Sequence, residues 1–275
     1  MKIASYSTFA ADVRARGLEY ALKRTVALGF EAVELIPSRR DPIPSPEAVR
    51  EAKKRFAAYG LPVICYSAVA DLSTGDPAAV EALKHHAQIA ATLGSPYLHH
   101  TLFPALSPKA DAPTYDEALP RVLDAAAQVA DYAATLGLVC LYEPQGLYFN
   151  GIEGLGNFFT ALKHRCPNVG ICADAGNPLF VNADPIAIAR HFAPHVRHVH
   201  VKNYALSKDE PAAAERYLLT ENKWMGATAL PEGKVDIPAF LGAFPHYHGF
   251  VSLETNGTDE ELTAAIAFLR SLRKN

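Results

Sequence analysis

The chain is poor in several things that would otherwise set its class. Among 275 residues there are 4 cysteines, 2 methionines and 1 tryptophan. None of the cysteines forms a CxxC pair: Cys65, Cys140 and Cys172 fall inside apolar runs, and Cys166 lies near a helix end. They read as buried free thiols rather than disulfides or a thiolate zinc site, since a free Cys behaves as a small apolar residue. No apolar run approaches the roughly 18 residues of a spanning helix, and no charged and then apolar leader opens the chain. The expectation is a soluble cytoplasmic protein. A net charge of −3 with dispersed signs offers no basic stripe for a nucleic-acid backbone and no amphipathic basic face for a membrane. Gly146 to Gly156 is glycine-rich but matches neither GxxxxGK[ST] nor GxGxxG, so it reads as a rim loop and not a phosphate cradle. What is left is a small-molecule protein, with a homo-oligomer left open.

What the chain does have is alternation. Strand-like runs at Lys2–Tyr6, Ala32–Ile36, Pro62–Tyr66, Tyr97–Thr101, Val139–Tyr142, Val169–Ala173, Val196–His200 and Phe250–Glu254 alternate with helical stretches. The helices are predicted at Leu18–Leu28, Glu47–Tyr59, Pro77–Leu93, Tyr115–Leu136, Leu155–Arg165, Pro185–Phe192, Ile237–Phe244 and Asp259–Leu272. Prolines near helix starts and glycines after helix ends punctuate the pattern. A length of 275 residues sits near the roughly 250 typical of one eight-stranded β/α barrel. We expect an α/β fold, a single (β/α)8 TIM barrel over 1–275, with a lid-like insertion at about 203–236 that holds Trp224.

Four of the runs end in a side chain able to hold a metal: Glu143, Asp174, His200 and Glu254. In an open sheet these groups would be strung along an edge, whereas the C-terminal rim of a barrel gathers them at one mouth. The spacing is 31 residues from Glu143 to Asp174 and 26 from Asp174 to His200, about one β/α unit each at roughly 30 residues per unit. A lone carboxylate at a strand end can simply cap the next helix. Several carboxylates converging on one mouth repel unless a cation lies between them. Three carboxylates and an imidazole suit Mn²⁺, Mg²⁺ or Co²⁺ better than structural zinc.

These residues carry a resemblance. VELI at Val33–Ile36, LYEP at Leu141–Pro144, ICADAGN at Ile171–Asn177, HVHVKNY at His198–Tyr204, LPEGKVD at Leu230–Asp236 and VSLE at Val251–Glu254 resemble the xylose isomerase-like TIM barrel superfamily. They follow the order of its sugar phosphate isomerase/epimerase branch, the ketose 3-epimerase type. The resemblance implies one divalent ion on Glu143, Asp174, His200 and Glu254, with Mn²⁺ first and Mg²⁺, Co²⁺ or Zn²⁺ as alternatives. It also implies that Glu143 and Glu254 act as the acid/base pair on opposite faces of a bound ketose. The sequence departs from the pattern in three places. Asn177 stands where a histidine is common, Asn203 replaces the usual Asp, and Pro231-Glu232-Gly233 replaces Gly-Glu-Gly. Asn177 can bond a hydroxyl but cannot shuttle a proton.

Further substrate contacts are expected from Lys202, from His99 or His100 at the end of the fourth strand, and from Glu34, whose other role would be to brace a ligand. Tyr66 and Trp224 are candidates for an apolar wall. Each has a plainer alternative as a packed rim lysine, a wall histidine, a salt bridge or a core aromatic. The expected activity is a metal-dependent isomerase or epimerase on a ketose, sugar phosphate or cyclitol, through an enediolate. The alternative is a lyase or dehydratase on a keto-sugar or keto-inositol, with a non-catalytic sugar-binding subunit third. The abasic-site nucleases of the superfamily require many more histidines and a basic groove.

Overall fold

Each apolar run becomes a strand of one closed parallel barrel. The computed structural model describes residues 2–37, 43–105, 112–213, 215–219 and 223–272. In chain order the elements begin β1 (Lys2–Ser5), α1 (Ser7–Arg16), α2 (Leu18–Ala27), β2 (Ala32–Leu35), α3 (Pro46–Ala58), β3 (Val63–Ala68), α4 (Pro77–Leu93) and β4 (Tyr97–His100). They continue α5 (Tyr115–Thr135), β5 (Val139–Tyr142), α6 (Ile152–Arg165), β6 (Val169–Asp174), α7 (Pro185–Phe192) and β7 (Val196–Val201). After the short strands β8 (Tyr204–Ser207), β9 (Arg216–Leu218) and β10 (Trp224–Ala227) come α8 (Ile237–Gly242), β11 (Phe250–Leu253) and α9 (Asp259–Ser271). The barrel order is β1-β2-β3-β4-β5-β6-β7-β11, closed by β11 on β1. Prolines 42 and 108 lie outside the described residues.

Helix starts follow the chemistry of the first turn, where four backbone N–H groups lack partners. Asp76, Asp184 and Asp236 cap α4, α7 and α8 just ahead of their first-turn prolines, and Thr114 and Thr258 form capping boxes with Glu117 and Glu261. These caps hold the helices on the barrel and leave the strand tips free for other work. Tracing the alternation of a strand gives two sets of side chains. Ala4, Ala32, Cys65, Leu141 and Cys172 form a buried cluster together with Ile64, two residues before Tyr6, Glu34, Ser67, Glu143 and Asp174 on the same strands or just past their ends. They fill the barrel beneath the mouth. All four cysteines are free and buried, as expected.

Two elements depart from the expectation. α1 is an added helix in the first β/α connection, and residues 203–236 carry an antiparallel sheet in the order β8-β10-β9. Asn203 closes the neck of that insertion. Its Nδ2 donates to the carbonyls of Leu230 (2.7 Å) and Val235 (2.8 Å), and its Oδ1 accepts from the backbone N–H groups of Tyr204 and Val235, both at 3.0 Å. An aspartate there could not make the two donations. Among the described residues no helix is long and apolar enough to cross a membrane.

Candidate metal centre and barrel mouth

The side chains of Glu143, Asp174, His200 and Glu254 meet at the mouth. His200 Nδ1 lies 3.2 Å from Glu143 Oε2, 3.3 Å from Glu254 Oε2 and 3.7 Å from Asp174 Oδ2. Parallel pairing brings them together: Asp174 is in register with His200, and the Glu254 backbone N–H extends the ladder to the Val201 carbonyl at 2.9 Å. Asp174 is oriented locally, because its Oδ1 accepts from the backbone N–H groups of Gly176 (2.8 Å) and Asn177 (2.6 Å). That leaves its other oxygen aimed inward.

Lys202, buried two residues beyond His200, places its Nζ 3.2 Å from Asp174 Oδ2 and 2.9 Å from Glu254 Oε1. Gly176 makes room for the lysine stem: a Cβ there would come within 2.6 Å of Lys202 Cγ. His99 Nε2 stands 3.5 Å from Glu143 Oε1, and the Tyr6 ring packs 5.1 Å from that of His200.

The charges are strongly interdependent. Burial, reinforced by the Glu254 and Glu143 carboxylates, pushes Asp174 up to about 7 against the pull of Lys202 and His200. Burial also works against the Glu254 carboxylate, but Lys202 and His200 outweigh it and hold its pKa down at about 2. His200 resists burial through Cys172, Glu34 and its other acidic neighbours and sits well above the ordinary histidine value. Burial carries His99 the other way, towards the neutral ring.

Among the described residues, three sets of side chains are close enough to share a cation: Glu143, Asp174 and His200; Cys172, His198 and His200; and Glu34, Cys65 and His198. Burial raises the thiol pKa of both Cys65 and Cys172, which disfavours the thiolate a metal would need. Glu34 is already saturated with donors. The first set differs: among the described residues Asp174 Oδ2, and Glu254 Oε2 beside the set, make no well-aligned hydrogen bond, their nearest polar neighbours being Lys202 Nζ at 3.2 Å and His200 Nδ1 at 3.3 Å. Converging carboxylate oxygens with spare lone pairs beside an imidazole nitrogen are the donor chemistry of a hard divalent cation, so the residues fit the implied metal. The cation would have to displace the Nδ1 proton of His200 and offset Lys202 for the shared carboxylates.

The remaining sequence candidates divide by face. His99 points into the mouth, as does Glu34, one level below. His100 and Tyr66 lie on the opposite faces of their strands: His100 packs edge-on to Tyr142 at 5.0 Å, and the Tyr66 hydroxyl meets His86 Nδ1 of α4 at 3.2 Å. Both belong to the layer between strands and helices, so neither stands at the mouth. Trp224 pairs with Ser207 and Leu218 on β10, on the face opposite the fully buried Met225. Tyr217, in register with Met225, has its ring 4.8 Å from that of Phe180, and the buried Tyr204 lies 6.0 Å from the same ring. Asn177 is buried beside Asp174 with its Nδ2 unpartnered. Sequence reading overlooked Ser67 and Ser252, which contact Glu34. Only the inward parity of their strands marks them.

An eight-stranded β/α barrel with acids and a histidine on consecutive strand tips is a well-populated class, and the chain can be placed within it. A family model, the xylose isomerase-like TIM barrel, matches residues 22–272, and the chain belongs to that family. No curated protein matches it in sequence. Among solved structures it is similar to D-psicose 3-epimerase with D-tagatose from Clostridium cellulolyticum H10, at 15% identity and a TM-score of 0.75 over 100% of both chains. It is also similar to the probable 3-DHS dehydratase AsbF of petrobactin synthesis from Bacillus anthracis, at 19% identity and a TM-score of 0.75, covering 98% of this chain and 99% of that one. A xylose isomerase-like TIM barrel protein from Mycobacterium smegmatis in complex with magnesium matches at 17% identity and a TM-score of 0.70, covering 92% and 86%. At these identities the likeness is one of fold.

Proposed function

We propose that this protein is a divalent-metal-dependent isomerase or epimerase acting on a ketose, sugar phosphate or cyclitol. Glu143, Asp174, His200 and Glu254 would hold the metal, and Glu143 and Glu254 would also move the proton. The observation that carries the proposal is the convergence of three carboxylates, two of them buried, on one nitrogen, with two of their oxygens making no well-aligned hydrogen bond. A bound divalent cation would polarise the carbonyl and adjacent hydroxyl of a ketose and acidify the C–H between them. The epimerase and the magnesium complex among the similar structures support that direction.

The chain's own residues divide the work. Glu143 and Glu254 come from the outermost of four consecutive barrel strands, β5, β6, β7 and β11, so they bracket Asp174 and His200. A flat enediolate lying between them would meet one carboxylate on each face. One takes the proton and the other returns it, which inverts the carbon; return by the same carboxylate to the neighbouring carbon isomerises instead. Lys202 keeps Glu254 ionised. Asn177 Nδ2 and His99 Nε2 are unspent buried polar atoms available to substrate hydroxyls.

The test is a panel of ketoses, keto-inositols and their phosphates incubated with Mn²⁺-loaded protein in deuterated water. Label should enter next to the carbonyl without loss of water, and Glu143→Gln or Glu254→Gln should lower turnover by roughly 10²–10⁴ while retaining part of the metal. Dehydrated product with no epimer would assign the chain to the lyases instead. No turnover at all on any member with the metal bound would favour a binding subunit.

A further inference from the structure

Glu34 is wholly buried beneath the mouth and receives four side-chain donors. Ser67 Oγ lies 2.5 Å from its Oε1, Ser252 Oγ 2.6 Å and His198 Nε2 2.8 Å from its Oε2, and His200 Nε2 is 3.1 Å from both oxygens. An ionised carboxylate can only accept. The hydrogen between Glu34 and His200 therefore sits on Nε2, which leaves Nδ1 as the nitrogen that faces Glu143, Asp174 and Glu254.

The same logic reaches a second histidine through one hydroxyl. Ser67 has a single hydrogen, and its shortest contact commits that hydrogen to Glu34. The serine oxygen then has only lone pairs to offer His99 Nδ1 at 3.0 Å, so the His99 hydrogen lies on Nδ1. In the neutral ring Nε2 is left bare, and it is the atom found without a partner beside Glu143.

We propose that Glu34 is a positioning residue for two rings at once, holding the Nε2 hydrogen of His200 so that Nδ1, once its proton is displaced, is the nitrogen open to a cation among the carboxylates, and, through Ser67, turning the Nε2 lone pair of His99 into the mouth. The proposal rests on the metal-dependent reading of the site for its His200 half; the His99 half stands on hydrogen-bond geometry alone. Outer partners of metal-bound histidines fix ring orientation and raise ligand basicity, and losing one typically costs 10–100-fold in metal affinity. Here one carboxylate on β2 serves rings on both β4 and β7.

The experiment compares wild type, Glu34→Gln and Ser67→Ala. Mn²⁺ affinity is read by calorimetry, and histidine tautomers by ¹⁵N–¹H correlation on the metal-free and Mg²⁺-loaded proteins. In wild type, His99 should carry its hydrogen on Nδ1 with or without metal, and His200 on Nε2 in the loaded protein. Glu34→Gln puts an amide N–H where a donor expects an acceptor, and should lower Mn²⁺ affinity roughly 10–100-fold. Ser67→Ala should leave Mn²⁺ affinity within about twofold while His99 becomes a mixture of tautomers. Unchanged affinity in Glu34→Gln, or a wild-type His99 with its hydrogen on Nε2, would overturn the proposal. If Glu34→Gln fails to fold, Ser67→Ala and the wild-type spectra decide. A wild-type protein that takes up no divalent ion would overturn the metal-dependent reading and the His200 half with it; the His99 half is then settled by the metal-free spectrum.

Discussion

Replacing Lys202 by methionine removes one positive charge from the centre of the mouth and keeps most of the stem that packs on Gly176. In the metal-free protein that charge lies 3.2 Å from Asp174 and 2.9 Å from Glu254, with Lys202 and Asp174 buried and Glu254 partly so. Removing one partner of a buried ion pair costs about 3–5 kcal/mol, because the other partner keeps its desolvation cost without compensation. For a chain of this size each kcal/mol moves the melting temperature by roughly 2–4 °C, so the chelated variant should melt roughly 6–20 °C below wild type. Mn²⁺ held as proposed would supply the missing positive charge to the same carboxylates. It should therefore raise the Tm of Lys202→Met by more than it raises that of wild type. Thermal unfolding of both proteins, with chelator and with saturating Mn²⁺, measures the two increments. If the chelated variant melts with wild type, or the Mn²⁺ increment is no larger in the variant, Lys202 is not the counter-ion of these carboxylates.

The metal-free protein should also lose stability as pH rises. Asp174 has a folded pKa raised to about 7 from 3.8, so the stability tied to its proton is present in full below the unfolded value and lost through about pH 7. Glu254, lowered to about 2, has the opposite sign: its contribution is present above 4.5 and lost only as pH falls through about 2. Mn²⁺ must displace the Asp174 and His200 protons, so its stabilising increment should grow between roughly pH 5.5 and 8.5 and be accompanied by proton release in calorimetry; a flat increment with no release would contradict both shifts. Tyr66→Phe, finally, should cost about 1 kcal/mol of stability through the lost His86 contact and leave KM for the substrate within about twofold, whereas a large KM change in steady-state kinetics would put that hydroxyl at the mouth after all.

The barrel can be read from the sequence because strands buried on both faces stand out as apolar runs, and a carboxylate or histidine at the end of such a run has few other places to go. Pro77–Leu93 and Pro185–Phe192 end where their proline and apolar signals say. α1 does not announce itself, since its buried residues Thr8, Phe9, Ala10 and Asp12 make no apolar stripe. The insertion sheet is hidden for a similar reason: its strands run 3 or 4 residues and expose Leu206 and Leu218. Tyr66 and His100 show a different limit, because a one-residue change in where alternation is counted reverses a side chain's face. Of the dipeptide His99-His100, spacing alone could not say which ring turns inward. The Glu34 hub lies further out of reach, since its partners are 33, 164, 166 and 218 residues away in sequence. Only closing the barrel makes them neighbours.

The neck of the insertion has an evolutionary consequence. One side chain, Asn203, joins the two ends of residues 204–235 and uses both its donors and its acceptor to do so. What lies beyond the neck is then a loop whose ends are already held together, and doubling such a loop costs only about 0.6 kcal/mol of closure entropy. The segment carrying Tyr217 is thus free to lengthen, shorten or be exchanged while the strand tips that hold Asp174, His200 and Glu254 stay where they are. On the proposed function, substrate range and proton chemistry would be able to drift independently, with a single asparagine marking the boundary between them.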